Sequence, residues 1–315
     1  RVEQGLKYFE RFIDSFPDVH MLANAPDQKV YKLWEGLGYY NRCRNLIETA
    51  RYVSRNLNGN FPNHYEDIKK LKGIGSYTAA AIASFAFNEP RAVVDGNVFR
   101  VLARIFFIDK PIDSSTGKFF FNQFAAELLD KRKPGVYNQA IMDFGALVCK
   151  PVPNCLQCPF NKYCKAFLKN KTSFFPVKCK KNAVRKRWFN YLLLEHNGKF
   201  ALRQRIEKDI WRQLFEFILL ESSSGLNEEQ ILKEIKKKKL ADKNGFEIKI
   251  FPKVFRQQLS HQLIQGRFVT IKFQQKPKLA DDVLWAKKSE INKYAFPQFI
   301  NQFIKTEMKE LKGAV

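Results

Sequence analysis

The chain has 315 residues, long enough for two domains, and carries a formal net charge of +24. Its 45% hydrophobic and 14% aromatic content excludes wholesale disorder, and no apolar run approaches the roughly 18 residues of a membrane span. The charge points to a polyanionic partner, nucleic acid above all, although frequent Lys, Asn, Ile and Phe explain part of the excess as compositional bias.

From Val2 to about Leu168 the pattern is helical. "VEQGLKYFERFIDSF" places apolar residues three and four apart, and "NRCRNLIETARYVSRNL" repeats that spacing before the Asn58-Gly59 stop signal. "SYTAAAIASFAF", "NVFRVLARIFF", "GKFFFNQFAAELLD" and "VYNQAIMDFGALVC" follow as further helices, with no convincing strand alternation among them. Lys169 to Arg187 is basic, contains Pro176 and reads as a linker. Beyond it "WFNYLLLEH", "KFALRQR", "LFEFILLE", "FEIKIF" and "FVTIKF" predict short strands. Helical patterns near 227–240 and 290–311 interrupt them, so a smaller α+β domain is expected over 188–315.

Two stretches carry chemistry. In "LKGIGSYTAAAI", Gly73 and Gly75 lead into a helix N-terminus, whose backbone N–H groups bind a phosphate without side-chain charge. About twenty residues on, "VVDGNVFRVLARI" sets Asp95 in apolar surroundings. The plain reading of Asp95 is a cap for the helix starting near Asn97. The chemical reading is a lone carboxylate at a reaction centre. A third feature is "CKPVPNCLQCPFNKYC". Clustered Cys149, Cys155, Cys158 and Cys164 predict thiolate ligation of a metal rather than disulfides, and four thiolates suit zinc or an iron–sulfur cluster. Cys43 is expected to be a buried helical thiol and Cys179 an ordinary exposed one.

The glycine turn followed by the aspartate segment resembles the helix-hairpin-helix DNA glycosylases. The resemblance implies an all-α glycosylase domain over 1–168 with an iron–sulfur module, a 169–187 linker, and a Nudix-like domain over 188–315. It implies that the hairpin holds the DNA backbone through Gly73 and Gly75. It also puts Asp95 at a base-flipping pocket, with Tyr77 and Asn97 among the catalytic residues. Lyase members of the superfamily carry a Schiff-base lysine after the position of Ser76; this chain has Tyr77, and a phenol forms no imine. Tyrosine there is similar to the MutY-like adenine glycosylases, as are "YFERF", "LANAP", "LWEGLGYYNRCRNL" and "NQAIMDFGALVC".

That branch implies removal of adenine mispaired with 8-oxoguanine in double-stranded DNA. It implies Tyr39 as a wedge entering the duplex beside Leu37, and Gln139 contacting the extruded adenine; the plain reading of Gln139 is a helix-surface amide. The branch carries a [4Fe–4S] cluster on C-x6-C-x2-C-x5-C, and this chain is one residue shorter in the first loop. Leu259, Ser260 and His261 match the Phe-Ser-His segment that reads 8-oxoguanine, with Leu259 replacing the Phe. The magnesium-binding Arg-Glu-x-x-Glu-Glu core of Nudix hydrolases is absent, so pyrophosphate hydrolysis is not expected. The branch's general-acid glutamate falls just upstream of the stretch matching Arg1-Val2, so the chain is expected to be a piece of a longer protein and impaired as it stands. A cytoplasmic bacterial monomer is expected. An endonuclease III-like glycosylase/lyase and a catalytically dead mismatch-binding relative stay open as alternatives.

Overall fold

The computed structural model describes residues 2–179, 184–237 and 245–308, without the side chains of residues 2–4. In chain order the helices are α1 (Val2–Ser15), α2 (Val19–Asn24), α3 (Asp27–Trp34), α4 (Tyr40–Asn56), α5 (Tyr65–Lys70), α6 (Ser76–Phe87), α7 (Gly96–Phe106), α8 (Ser115–Leu128), α9 (Pro134–Leu147) and α10 (Lys165–Leu168). Then come strands β1 (Arg185–His196), β2 (Lys199–Gln204), β3 (Phe215–Glu216) and β4 (Ile218–Ser222), and helix α11 (Glu228–Lys237). Strands β5 (Phe246–Ile250), β6 (Phe255–Gln258), β7 (Gln262–Phe273) and β8 (Val283–Lys287) and helix α12 (Gln298–Glu307) complete the chain. Among the described residues no helix is long and apolar enough to cross a membrane.

The compact units do not follow chain order. Tyr52–Lys181 forms one; Arg1–Arg51 and Asn182–Val315 form the other. The first helices join the strand unit because they share its core: Phe16, Val30, Tyr31 and Ile47 are buried in one cluster with Phe189, Tyr191, Phe268 and Phe299. Part of the expected linker is folded, since β1 begins at Arg185 and Val177 O accepts the Ile112 N–H; residues 180–183 lie outside the described residues. The helix expected near 227–240 runs to Lys237 among the described residues, and the one expected near 290–311 is a 3₁₀ turn, Lys288–Lys293, followed by α12.

In the helical unit α7 is strongly amphipathic, whereas α6 is apolar nearly all round. On α7, Val98, Val101 and Leu102 recur at helical spacing and are buried, packing with Phe121 and Ala125 of α8. Ala79 and Ala83 of α6 are small enough to let Ile68 of α5 close against them, which fixes the hairpin.

In the other unit the sheet is mixed, in the order β3-β2-β1-β7-β5, with β4 on β1, β6 on β7 and β8 on β2. β1 and β7 run parallel, Tyr191 opposite Phe268, and the other pairs are antiparallel. β1 is buried on both faces. Phe189, Tyr191 and Leu193 enter the core that holds Phe299 and Phe303 of α12, while Leu192 and Leu194 enter a second core with Ile231 and Ile235 of α11. This explains why "YLLL" is a continuous apolar run rather than an alternating one.

Candidate active site and nucleic-acid interface

In the helical unit the hairpin is α5, a short turn and α6. Gly73 has φ +76°, a backbone state that other residues adopt at a cost. Gly75 is the N-cap of α6; it supplies no side-chain cap, and nothing lies within 4 Å of where its Cβ would stand. The approach to the helix start is therefore open at that point. Tyr77 follows in the first turn, 44% exposed.

Asp95 is the N-cap of α7, as the plain reading expects, but its carboxylate is more fully held than a simple cap. Oδ1 accepts the N–H groups of Asn97 and Val98, both at 2.8 Å, and Oδ2 accepts Asn97 Nδ2 at 2.8 Å. Asn97 is held in turn: its Oδ1 accepts Arg100 Nη2 at 2.8 Å, and the same Nη2 donates to Gly145 O at 2.7 Å. Arg100 Nε donates to Cys149 O at 2.7 Å. Burial, the largest influence, lowers the pKa of Arg100. The carboxylate is thus the end of a three-residue chain anchored on the backbone of α9 and of the cysteine loop. Gly145 permits this, because a Cβ there would sit 2.7 Å from Asn97 Cβ.

Gln139 lies on the exposed face of α9 and donates to Asp143 Oδ1 at 2.9 Å. Its neighbour Asn138 is the buried amide. It accepts the Val93 N–H and donates to Ser84 Oγ and Arg91 O, tying α9 to α6 and to the segment that delivers Asp95.

Cys149, Cys155, Cys158 and Cys164 line one small cavity of about 20 Å³ with Arg104, Phe144 and Phe160. Among the described residues no three His, Cys, Asp or Glu side chains form a group that could hold a metal ion, so the thiols surround a shared space without converging on one point. Burial raises the Cys155 and Cys164 thiol pKa values, and for Cys155 the other three cysteines add to the effect. Arg104 is 2% exposed. It donates to the carbonyls of Lys150, Pro151, Thr172 and Phe175 and, at 3.5 Å, to Cys149 Sγ. No carboxylate among the described residues pairs with it. A buried cation without an anion is costly, and a four-thiolate metal group, being anionic, fits beside it.

In the strand unit a second site forms. The turn Gly36-Leu37-Gly38-Tyr39 carries φ values of +94°, +81° and +51° at Gly36, Gly38 and Tyr39. It is pinned by Trp34 Nε1 donating to Gly38 O at 2.8 Å and by Gly36 N donating to Tyr40 Oη at 3.1 Å. Tyr39 is left 72% exposed, its ring beneath the Arg42 guanidinium at 5.2 Å. Leu259, Ser260 and His261 form the tip between β6 and β7, closed by Leu259 N donating to Gln262 O at 2.8 Å. Both groups line one open cleft of about 840 Å³, with Arg42, Arg44, Lys208 and Arg212 contributing positive charge. That volume is within the range of ligand clefts.

Residues 1–120 match the family described as HhH-GPD superfamily base excision DNA repair protein, and residues 190–306 match the NUDIX domain. An adenine DNA glycosylase of Buchnera aphidicola subsp. Acyrthosiphon pisum is 33% identical over 241 residues, 76% of this chain and 67% of that protein. The chain belongs to the adenine DNA glycosylase family. A second member, from Buchnera aphidicola subsp. Baizongia pistaciae, is 38% identical over 232 residues, 69% of this chain but 62% of that protein. The chain therefore spans about two thirds of these relatives. A solved thermostable thymine-DNA glycosylase is 29% identical, covering 52% of this chain and 76% of that one, with a TM-score of 0.49.

The family resemblance singles out Asp95, Asn97 and the cysteines but not the further side chains that fix them. Asn138, Arg100 and Arg104 are each placed by bonds to residues more than 40 positions away. The available signal was an Arg every four residues in "VFRVLARI": both face the cysteine loop from the otherwise apolar α7. Cys43 is fully buried, as expected, and Cys179 is exposed.

Proposed function

We propose that the chain is the glycosylase and lesion-recognition part of an enzyme that hydrolyses the N-glycosidic bond of adenine mispaired with 8-oxoguanine. The observation that carries the reading is the Asp95 carboxylate, fixed by three hydrogen bonds in the unit that holds the hairpin. Cleaving the bond builds positive charge on the sugar, and a carboxylate whose position is set beforehand stabilises that oxocarbenium-like state. Water adds to the anomeric carbon, and adenine leaves with a proton from a second carboxyl group. By family resemblance that group lies upstream of Arg1; Glu3 and Glu10 are not assigned to it. Gly73 and Gly75 serve the phosphate backbone, Tyr77 lines the base pocket, and Gln139 meets the extruded base once released from Asp143. Tyr39 and Leu37 enter the duplex, while Ser260 and His261, beside Leu259, sense the 8-oxoguanine.

Enzymes of the endonuclease III and MutY type typically carry a [4Fe–4S] cluster. Cys149, Cys155, Cys158 and Cys164 would hold it, and it would brace the loop whose backbone anchors Arg100. The unbalanced charge of Arg104 supports an anionic four-thiolate group there; zinc would satisfy the same charge.

The test is single-turnover adenine release from an 8-oxoguanine:adenine duplex, by the chain alone and joined to the acid-bearing segment of a relative. Release that needs the joined segment, and is lost on Asp95→Asn while duplex binding persists, is the expected result. Lesion binding without release in either form would mean a mismatch-binding protein. Borohydride trapping of a covalent adduct would mean a lyase.

A further inference from the structure

We propose that Arg212 and Gln257 are specificity-determining residues of the cleft around Tyr39 and Ser260, reading the N7–H and C8 carbonyl edge of an 8-oxopurine. The inference deepens the functional reading above and rests on it. Both residues line the cleft, and both hold a buried polar atom with no hydrogen-bond partner among the described residues: Arg212 Nε and Gln257 Oε1. Buried polar atoms are nearly always paired, so an unpaired donor and an unpaired acceptor in the wall of one cleft need an explanation.

The segment bearing Arg212 is rigid and strained. Its neighbours Trp211 and Gln213 have φ +60° and +76°, uncommon for residues other than glycine. Such backbone persists only where the surroundings over-determine it, and it gathers at ligand sites. Here they do. Asp209, three residues back, is gripped by Arg187 through both oxygens at 2.8 Å and by Arg205 at 2.9 Å. Trp211 is 7% exposed and stacks on Phe299 at 6.2 Å, and Gln213 N donates to Arg205 O at 2.6 Å. The backbone is fixed on both sides of Arg212, while its guanidinium enters no hydrogen bond or ion pair among the described residues. Gln257 is placed as firmly, opposite Ile264 in the β6–β7 ladder. It lies two residues before Leu259, and so on the same side of the strand.

The chemistry selects the ligand. A phosphate offers only acceptors: it would satisfy Arg212 and could take the Gln257 NH₂ group, but it would leave the Gln257 carbonyl unpaired. Guanine presents two acceptors, N7 and O6, on its major-groove edge. Oxidation at C8 turns N7 into an N–H donor beside a new carbonyl. That donor matches the Gln257 oxygen and that carbonyl matches the Arg212 guanidinium. A half-turn of the amide about its soft terminal torsion presents its oxygen to the cleft without moving the backbone.

The experiment is equilibrium binding at fixed salt to 8-oxoguanine:adenine, guanine:adenine and undamaged duplexes, with the salt dependence measured on the last. Gln257→Leu and Arg212→Met should each shrink the preference for 8-oxoguanine over guanine by about five- to a hundred-fold. Gln257→Glu, which keeps an acceptor, should retain the preference. Where Gln257→Leu does not fold, Gln257→Asn, which keeps the amide but not its reach, replaces it with the same expected loss. An unchanged preference in the variants overturns the inference. So does an equal loss on all three duplexes with a shallower salt dependence, which would make Arg212 a phosphate contact. If the unmodified chain itself shows no preference, the 8-oxoguanine reading fails first, and the inference with it.

Discussion

Exchanging Asp95 and Asn97 separates catalysis from capping. In Asp95→Asn the oxygen that accepts from Asn97 N and Val98 N can remain, so the cap survives. The other oxygen becomes an NH₂ group facing Asn97 Nδ2 across 2.8 Å, donor against donor. Asn97 cannot turn its amide over without loss, because its Oδ1 already accepts Arg100 Nη2. The single substitution should therefore cost about 1–3 kcal/mol, the usual penalty for unsatisfied buried groups. Adding Asn97→Asp supplies an acceptor for the new amide and a carboxylate for Arg100, which restores most of that loss. Urea denaturation of the four proteins gives the coupling, expected at about 1–3 kcal/mol and favourable. Single-turnover adenine release, in the form of the protein that carries the acid segment, gives the second readout. Both variants should be slowed by at least about 100-fold, the scale of losing one electrostatic contact to a transition state. A double variant that excises at close to the native rate would refute a catalytic Asp95. A single variant as stable as the native chain would refute the hydrogen-bonded network.

Gly145→Ala drives a methyl group into Asn97 and should cost about 1–3 kcal/mol as overpacking, visible as a lower urea midpoint; an unchanged midpoint would mean that α7 and α9 do not pack as described. Burial raises the Asp209 carboxyl pKa, but bonds from Arg187 and the Ile210 N–H outweigh it, and Arg187 likewise holds Glu221 below the usual range. Because the folded values are depressed, this stabilisation is complete above about pH 5, begins to fall near the unfolded values of about 4 and is lost as pH drops on through the lower folded values. Arg187→Met should remove that acid-side slope, and a variant with the same slope would contradict the ion cluster. The purified protein should be brown with iron and sulfide bound, and colour should be lost on Cys158→Ser; one zinc per chain in a colourless preparation would reverse the choice of metal. Replacing Ser260 and His261 together with Ala should weaken the preference for 8-oxoguanine:adenine over guanine:adenine by about five- to a hundred-fold, and equal losses on all duplexes would reduce the pair to general DNA affinity.

Short-range features were legible along the chain. The Asp95 cap, the Gly73 turn and the helices on either side depend on neighbours within a few residues, where spacing and residue type decide the outcome. The strands of 188–315 were visible in their β-branched and aromatic runs; β6, four residues with three of them polar, did not stand out, and β8, though apolar, lacks the alternation that marks a strand. Only the tertiary structure decided what the buried charges do. Arg100, Arg104 and Arg187 each bond to a partner between 22 and 71 positions away, which no local pattern reveals. It also decided that α1 to α3 share a core with the strands, because a helix's apolar stripe does not specify which of several apolar faces will cover it. The grouping of Tyr39, Arg212, Gln257 and Ser260 around one cleft has the same origin. Each lies on a different element, and only the packing of those elements, driven by burial of residues such as Trp211 and Phe299, brings their polar ends together.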